Sequence, residues 1–328
     1  MLERMVMTKA PLRITFVGGG TDLPFYYENR DYGAVVSAAI NKYIYVTVNR
    51  KFDRKIRVSY SKTEIVDHID EIQHPTVRES LRLLNLTEGI EIVSISDIPS
   101  NGTGLGSSST FLVSLLHALH SYRGELVDSE TLAKEAVLIE REVLKEPGGK
   151  QDQYAAAFGN LNLMKFFGNG TVSLTPVTSH VNNIRKVEDS LLLLYTGKGR
   201  SSSGIHEDQV VNSKAKMDAY DAMKELTGPT FKAISEGDVE TLGRLVHENW
   251  SLKRNLSKKI SDEWIDQMYQ KAMELGAYGG KIVGAGGGGF MLLVAEPAKH
   301  ELITKSLGLE RTYFRFTHTG SRVIFVGE

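Results

Sequence analysis

The chain has no cysteine. That excludes disulfides, thiolate metal centres and thiol nucleophiles, and it suits a reducing compartment. Long apolar runs are missing too. The most apolar interior stretch, Leu191 to Tyr195, falls far below the ~20 residues of a membrane-spanning helix, and Met1 to Lys9 has no apolar segment of signal length, so a cytoplasmic protein is expected. Neither sign of charge dominates: 39 basic and 40 acidic side chains leave a net charge of −1. No global field draws nucleic acid or an anionic membrane, so any anion must be held locally. The aromatic residues are scattered and form no array with basic residues on which nucleic-acid bases could stack. Repeats and low-complexity segments are absent, which excludes a solenoid or a linker-rich scaffold. His117 and His120 lack the further ligands of a zinc centre.

What is present is a chain of 328 residues, 41% hydrophobic and 24% charged, long enough for two domains or one large one. Its most informative stretch, Ile98 to Thr110, reads Ile-Pro-Ser-Asn-Gly-Thr-Gly-Leu-Gly-Ser-Ser-Ser-Thr and joins the β-like run Ile90 to Ile95 to the helical run Phe111 to Leu119. Gly102, Gly104 and Gly106 let backbone amides turn inward, and the following helix aims its unpaired N–H groups and positive dipole end at the same space. An anion is the natural guest. Ser107, Ser108 and Ser109 can cap the helix, donate to phosphate oxygens or ligate magnesium, so a polyphosphate with its metal suits the loop. No lysine follows the last glycine, and Gly276 to Lys281 is one residue short, which argues against a Walker A motif. Gly18-Gly19-Gly20 lacks the third glycine of a dinucleotide fingerprint, and Gly284 to Gly289 runs into the strand-like Phe290 to Ala295 where a helix is needed.

The first half mixes β-like runs (Leu12 to Phe16, Tyr43 to Asn49, Lys55 to Tyr60, Ile90 to Ile95) with helical ones (Thr76 to Leu84, Ser108 to Ser121, Ser129 to Leu144), an α+β layout. Pro147-Gly148-Gly149 stops the last helix, and Leu161 to Phe166 reads as a strand. The turn-rich stretch Gly168 to Asn183 marks the expected boundary between domains 1–178 and 179–328. Beyond it, the strand Leu191 to Tyr195 precedes helical patterns from about Glu207 to Leu275. Phe290 to Ala295, Arg311 to Phe316 and Val323 to Val326 then read as strands. One Gly-rich loop per half suggests a ligand between the domains.

Three segments, in order and spanning nearly the entire chain, resemble the three motifs of the GHMP kinases, named for galactokinase, homoserine kinase, mevalonate kinase and phosphomevalonate kinase. Pro11 to Asp22 (Pro-Leu-Arg-Ile-Thr-Phe-Val-Gly-Gly-Gly-Thr-Asp) resembles the first, Pro99 to Thr110 the ATP-binding second, and Lys281 to Phe290 the Gly-rich third. The form of the first motif, with Tyr26 and Tyr27 behind it, together with Gln151 to Ala156 and Tyr195 to Ser201, is most similar to the D-glycero-D-manno-heptose 7-phosphate kinase branch. The kinase module of fucose kinases is a neighbour. The resemblance implies the two-domain fold of that superfamily, with an N-terminal domain like ribosomal protein S5 domain 2 and a ferredoxin-like C-terminal domain. It also implies ATP-dependent phosphorylation of a sugar or sugar phosphate, with Mg²⁺, at the anomeric hydroxyl. A catalytically silent nucleotide or sugar sensor on the same fold, or an ATP-dependent decarboxylase, are the readings of other classes.

Residue by residue, the resemblance makes Asp152 the catalytic aspartate, where the residue alone would read as a helix cap. Arg13 matches a cation beside that aspartate. Ser108 and Glu140 match the serine and glutamate that bind magnesium, whereas the charged neighbours Glu135, Arg141 and Glu142 would make Glu140 part of a solvated helix face. Pro99, Gly102, Gly104, Leu105, Gly106, Ser107, Ser108 and Ser109 fall on ATP. Gly19, Gly20, Thr21 and Asp22 fall on the sugar, whose hydroxyl geometry an acceptor-only carboxylate can discriminate; a turn-forming Thr-Asp pair is the competing reading. Gly286 and Gly287, with Gly284, Gly288 and Gly289, allow close approach to substrate or phosphate, or else form a bare hairpin. A substrate that already carries a phosphate needs a second anion site. Lys198, Arg200 and Ser201, with Ser202, are the first candidates, Lys253 and Arg254 the second, and Lys281 could also reach phosphate.

Overall fold

In the computed structural model, residues 5–99, 102–197 and 216–327 are described. The first strand, β1 (Val6–Val17), shows how alternation builds the site. Leu12, Ile14 and Phe16 enter the core, which leaves Arg13 and Thr15 on the opposite face. Its partner β2 (Gly33–Arg50) pairs with β1 along most of its length, with β6 (Leu161–Phe166) through its first part and with β5 (Ile90–Ser96) through its second. Only the second part was legible as a strand, because Gly33 to Ile40 is buried on both faces and shows no alternation.

β3 (Ile56–Ser59) runs parallel to β5 and pairs with β4 (Thr63–Val66), and β7 (Val172–Pro176) pairs with β6. The C-terminal strand β12 (Arg322–Val326) returns to the far edge of β1. Among the described residues the sheet has eight strands, in the order β12-β1-β2-β5-β3-β4, with β6 branching from β2 and carrying β7. The Ser107–Arg123 helix packs across β1 and β2 through Leu112, Leu115, Leu116 and Leu119.

The second sheet holds β8 (Leu191–Tyr195), β9 (Ala277–Ile282), β10 (Phe290–Ala295) and β11 (Glu310–Thr312), antiparallel in the order β11-β8-β10-β9. Helices lie between β8 and β9 and between β10 and β11, so the unit is βαββαβ with ferredoxin-like strand order. Leu192, Leu194, Met291 and Leu293 pack with Trp250 and Tyr269, whereas Leu191, Leu193, Leu292 and Val294 join the core of the first sheet. Burial on both faces explains why β8 and β10 read as continuous apolar runs.

Three expectations change. The stretch Gly168 to Asn183 is not only turns, since it contains β7 and the start of the Val181–Ser190 helix. Of Arg311 to Phe316 only the first residues are strand, followed by a single bridge between Phe316 and Ile40. β9 was hidden by Gly279 and Gly280. A Cβ at Gly279 would lie 2.0 Å from the Gly243 carbonyl oxygen, so glycine is what lets the Val239–Arg254 helix sit on this strand. Among the described residues, no helix is long and apolar enough to cross a membrane.

Candidate active site

Arg13 projects from the face of β1 opposite Leu12 and Ile14 and is 4% exposed. Its Nε and Nη2 donate to the two carboxylate oxygens of Asp152 at 2.7 and 2.8 Å, and its Nη1 donates to the Gly104 carbonyl at 2.5 Å. One planar guanidinium thus fixes the carboxylate bidentately and grips the glycine loop with its remaining arm. Asp152 lies in the first turn of the Gln151–Phe158 helix, where the dipole also favours a carboxylate. Gly106, at φ 79°, abuts the pair: a Cβ there would lie 3.3 Å from Asp152 Cγ and 3.5 Å from Arg13 Cγ. A larger residue would push the loop off the aspartate.

The glycine loop ends at an open helix terminus. Gly106 is the N-cap of the Ser107–Arg123 helix, and among the described residues no side chain caps the first amides. The three serines therefore do not serve as caps. Ser107 is buried against Thr103, Ser108 is exposed, and Ser108 and Ser109 donate to Glu140 at 3.1 and 2.7 Å. Gln153 Nε2 donates to the same carboxylate, and the Arg141 guanidinium stands 3.6 Å away. Glu140 is 1% exposed because the helix widens at Leu138–Val143, where the Leu144 N–H reaches back to the Ile139 carbonyl and turns the glutamate inward. The solvated-face reading of Glu140 does not hold. Ser108 and Glu140 form an adjacent pair of hard oxygens beside the phosphate loop, which fits magnesium whose other ligands are phosphate and water. Among the described residues, no group of three or more His, Cys, Asp or Glu side chains gathers to hold a metal.

The cleft beside Asp152 is lined by Arg13, Thr15, Gly19, Gly20, Asp22, Arg141, Gly148, Gly149, Gln151, Lys253, Lys281, Gly284 and Ala285. Asp22 accepts from the Gly20 N–H at 3.0 Å and from Gln151 Nε2 at 3.0 Å, while Gln151 Oε1 accepts from Thr15. Thr21 does not face the cleft. It is buried, and its hydroxyl is taken by Gly18, the Ala34 carbonyl and the Ala34 N–H, so it fixes the loop rather than touching sugar. Pro99 is exposed.

The glycines of the third motif are used differently from the expectation. A Cβ at Gly284 would lie 2.5 Å from Gly104 Cα, and one at Gly289 would lie 2.5 Å from the Thr103 carbonyl oxygen. The two glycine loops meet backbone to backbone. Gly286 and Gly287 pack on Ile260, to whose carbonyl the Gly287 N–H donates at 2.8 Å, and neither lines the cleft. Lys281 donates to the Thr15 and Phe16 carbonyls at 2.9 and 3.2 Å, and burial pushes its ammonium well below the usual lysine range. Lys253, also buried, is pushed down to about 8. Lys198, Arg200 and Ser201 lie outside the described residues. No role was expected for Thr15, Arg141, Gln151 or Gln153, although Thr15 lies within the first motif and Gln151 and Gln153 flank Asp152 in a stretch that carries the resemblance.

Residues 71–160 match the GHMP kinases N terminal domain and residues 230–307 match the GHMP kinases C terminal domain. D-glycero-alpha-D-manno-heptose 7-phosphate kinase of Campylobacter jejuni is 31% identical over 97% of this chain and 98% of its own length. The chain belongs to the GHMP kinases. A solved structure described as a D-glycero-D-manno-heptose 1-phosphate kinase from Bacteroides thetaiotaomicron superposes on this GHMP kinase with a TM-score of 0.80 and 26% identity, covering 98% of this chain and 99% of that one. L-fucokinase/L-fucose-1-P guanylyltransferase of Bacteroides fragilis is 27% identical over 90% of this chain but only 35% of its own length. This GHMP kinase is thus an ATP-dependent phosphotransferase that acts on a sugar hydroxyl.

Proposed function

We propose that this GHMP kinase phosphorylates the anomeric hydroxyl of D-glycero-D-manno-heptose 7-phosphate to give the 1,7-bisphosphate. The observation that carries the reading is the contact of the Arg13–Asp152 pair with Gly106, where the acceptor side of the cleft meets the phosphate loop. Asp152 orients the sugar hydroxyl toward the γ-phosphorus and takes its proton as the new P–O bond forms and the bond to the β-phosphate oxygen breaks, releasing ADP. Because such transfer passes through a loose transition state, positioning outweighs basicity, which suits a carboxylate already held by a guanidinium. Arg13 also offsets charge that develops in transfer. The glycine loop and open helix end receive the ATP phosphates. Ser108 and Glu140 would hold magnesium, which neutralises phosphate charge.

Asp22, fixed by Gly20 and Gln151, is the sugar-facing acceptor in this reading, with Gly19 and Gly20 allowing close approach. The substrate class is supported by the two heptose phosphate kinases, whose names agree on the sugar and differ on which phosphate it carries. The fucokinase relative favours L-fucose as a second reading. The enzyme works in the cytoplasm, where ATP is available, and divides near residue 178, with β12 returning to the first unit. The test is ADP release with magnesium ATP across heptose 7-phosphate, heptose 1-phosphate, mannose 6-phosphate, fucose, galactose and mannose, with phosphorus NMR of the product. Selective conversion of the 7-phosphate to a bisphosphate is expected. Preference for fucose moves the conclusion to the second reading, and no turnover of the 7-phosphate, with or without turnover of the 1-phosphate, overturns the first.

A further inference from the structure

Cations outnumber carboxylates in the cleft: Arg13, Arg141, Lys253 and Lys281 face Asp22 and Asp152. Most of these cations are already engaged. Arg13 is spent on Asp152 and Gly104, Arg141 donates to the Gly149 and Glu146 carbonyls, and Lys281 holds the Thr15 and Phe16 carbonyls. Lys253 differs. It sits in the last turn of the Val239–Arg254 helix, is 4% exposed, and donates to the Gly284 carbonyl at 2.5 Å. An ammonium has three donors, so this contact leaves two for a ligand. Among the described residues no carboxylate stands within ion-pair distance of it, and Asp22 and Asp152 act on it only from farther off. The ammonium lies between the first and third loops, 3.8 Å from where a Cβ on Gly19 would be. A buried ammonium without a counter-ion costs free energy, and an anionic ligand is what would offset it.

We propose that Lys253 contacts substrate directly and receives a phosphate oxygen in the cleft, separately from the glycine loop. The inference rests on the sugar-kinase reading and deepens it. Two sources can supply that oxygen: the phosphate the acceptor sugar already carries, or the phosphoryl group in transfer. Lys253→Met in the full chain separates them. The substitution keeps the length of the side chain and removes an unpaired buried charge, so the variant is expected to fold, which a thermal melt verifies. With heptose 7-phosphate as acceptor, a rise in KM of about tenfold or more at constant kcat assigns Lys253 to the acceptor phosphate. A fall in kcat of similar size at constant KM assigns it to the group in transfer. Either result is reversed in part by Lys253→Arg, which restores charge without restoring the native shape. Both parameters within twofold of wild type overturn the proposal. If wild-type enzyme turns over no heptose phosphate, the parent reading has failed, and this one is tested by calorimetric titration of inorganic phosphate with magnesium ADP filling the glycine loop. Weaker binding in Lys253→Met supports the receptor, and equal binding refutes it.

Discussion

Asp152 and Glu140 lie close in sequence and both touch the phosphate loop or its helix, yet they are held by opposite means. Asp152 is gripped by a guanidinium fork and its side chain is 23% exposed toward the cleft. Glu140 is 1% exposed and is held by two hydroxyls and an amide, with the nearest guanidinium 3.6 Å away. A carboxylate paired with a fixed cation can orient a neutral hydroxyl without attracting a free cation of its own. In the proposed reading Glu140, held mainly by neutral donors with Arg141 near the limit of ion-pair distance, keeps its pull on a metal ion that the hydroxyl of Ser108 would share. Under the proposed function, the same functional group is thereby prepared for two tasks by the identity of its donors.

The sharpest way to break this contrast is Asp152→Asn. It is expected to lower kcat by about 10² to 10⁴-fold while ATP still binds and the metal requirement is unchanged. Turnover within a few-fold of wild type, in a variant that melts normally, would remove Asp152 from the reaction. Glu140→Gln is expected to act on the other side of the comparison, raising the magnesium concentration needed for half-maximal rate by about tenfold or more, with a smaller effect on kcat at saturating metal. Ser109→Ala, which removes only a donor to Glu140, should shift the same midpoint in the same direction by less. If Glu140→Gln behaved like Asp152→Asn, with low kcat at any metal concentration, the two carboxylates would not have separate tasks.

How much of this was legible depended on the distance over which a signal acts. Alternation along β1 placed Arg13 opposite Leu12 and Ile14, but no local rule could bring it to a residue 139 positions away; only the ordered set of motifs did. Glu140 reads as a solvated face because its neighbours are charged, and the widened helical turn that rotates it inward leaves no mark in composition. For Thr21 the short-range turn reading was the better one, since its hydroxyl partners are backbone groups of the adjoining loop and strand. The glycines at 284 and 289 announced close approach, but not that the approaching surface is the backbone of Thr103 and Gly104. Lys281 illustrates the same limit. A lysine beside a glycine loop suggests phosphate, whereas this one is spent on two carbonyls of β1 and joins the two halves of the site.

The smallest expected effect on catalysis comes from a third group of carboxylates at the far end of the Ser107–Arg123 helix, about 20 Å from the phosphate loop by helix rise. His120 bridges Glu125 and Glu135 through its two ring nitrogens, at 2.7 and 2.8 Å. Both contacts are best made by the doubly protonated ring. The hydrogen bond to Glu135 raises the His120 pKa most, burial opposes it, and Glu125 adds to the rise. A folded-state pKa above the unfolded value of about 6.5 means that the stabilisation is fully present below that pH and is lost as pH climbs through the higher folded value. His120→Gln is therefore expected to lower the melting temperature by a few degrees in mild acid, with the gap to wild type closing toward alkaline pH and kcat unchanged throughout. A gap that stays constant with pH would mean that His120 contributes shape rather than charge. A fall in kcat would mean that the helix transmits this ion cluster to the phosphate loop, and the separation drawn between structural and catalytic carboxylates would have to be redrawn along its length.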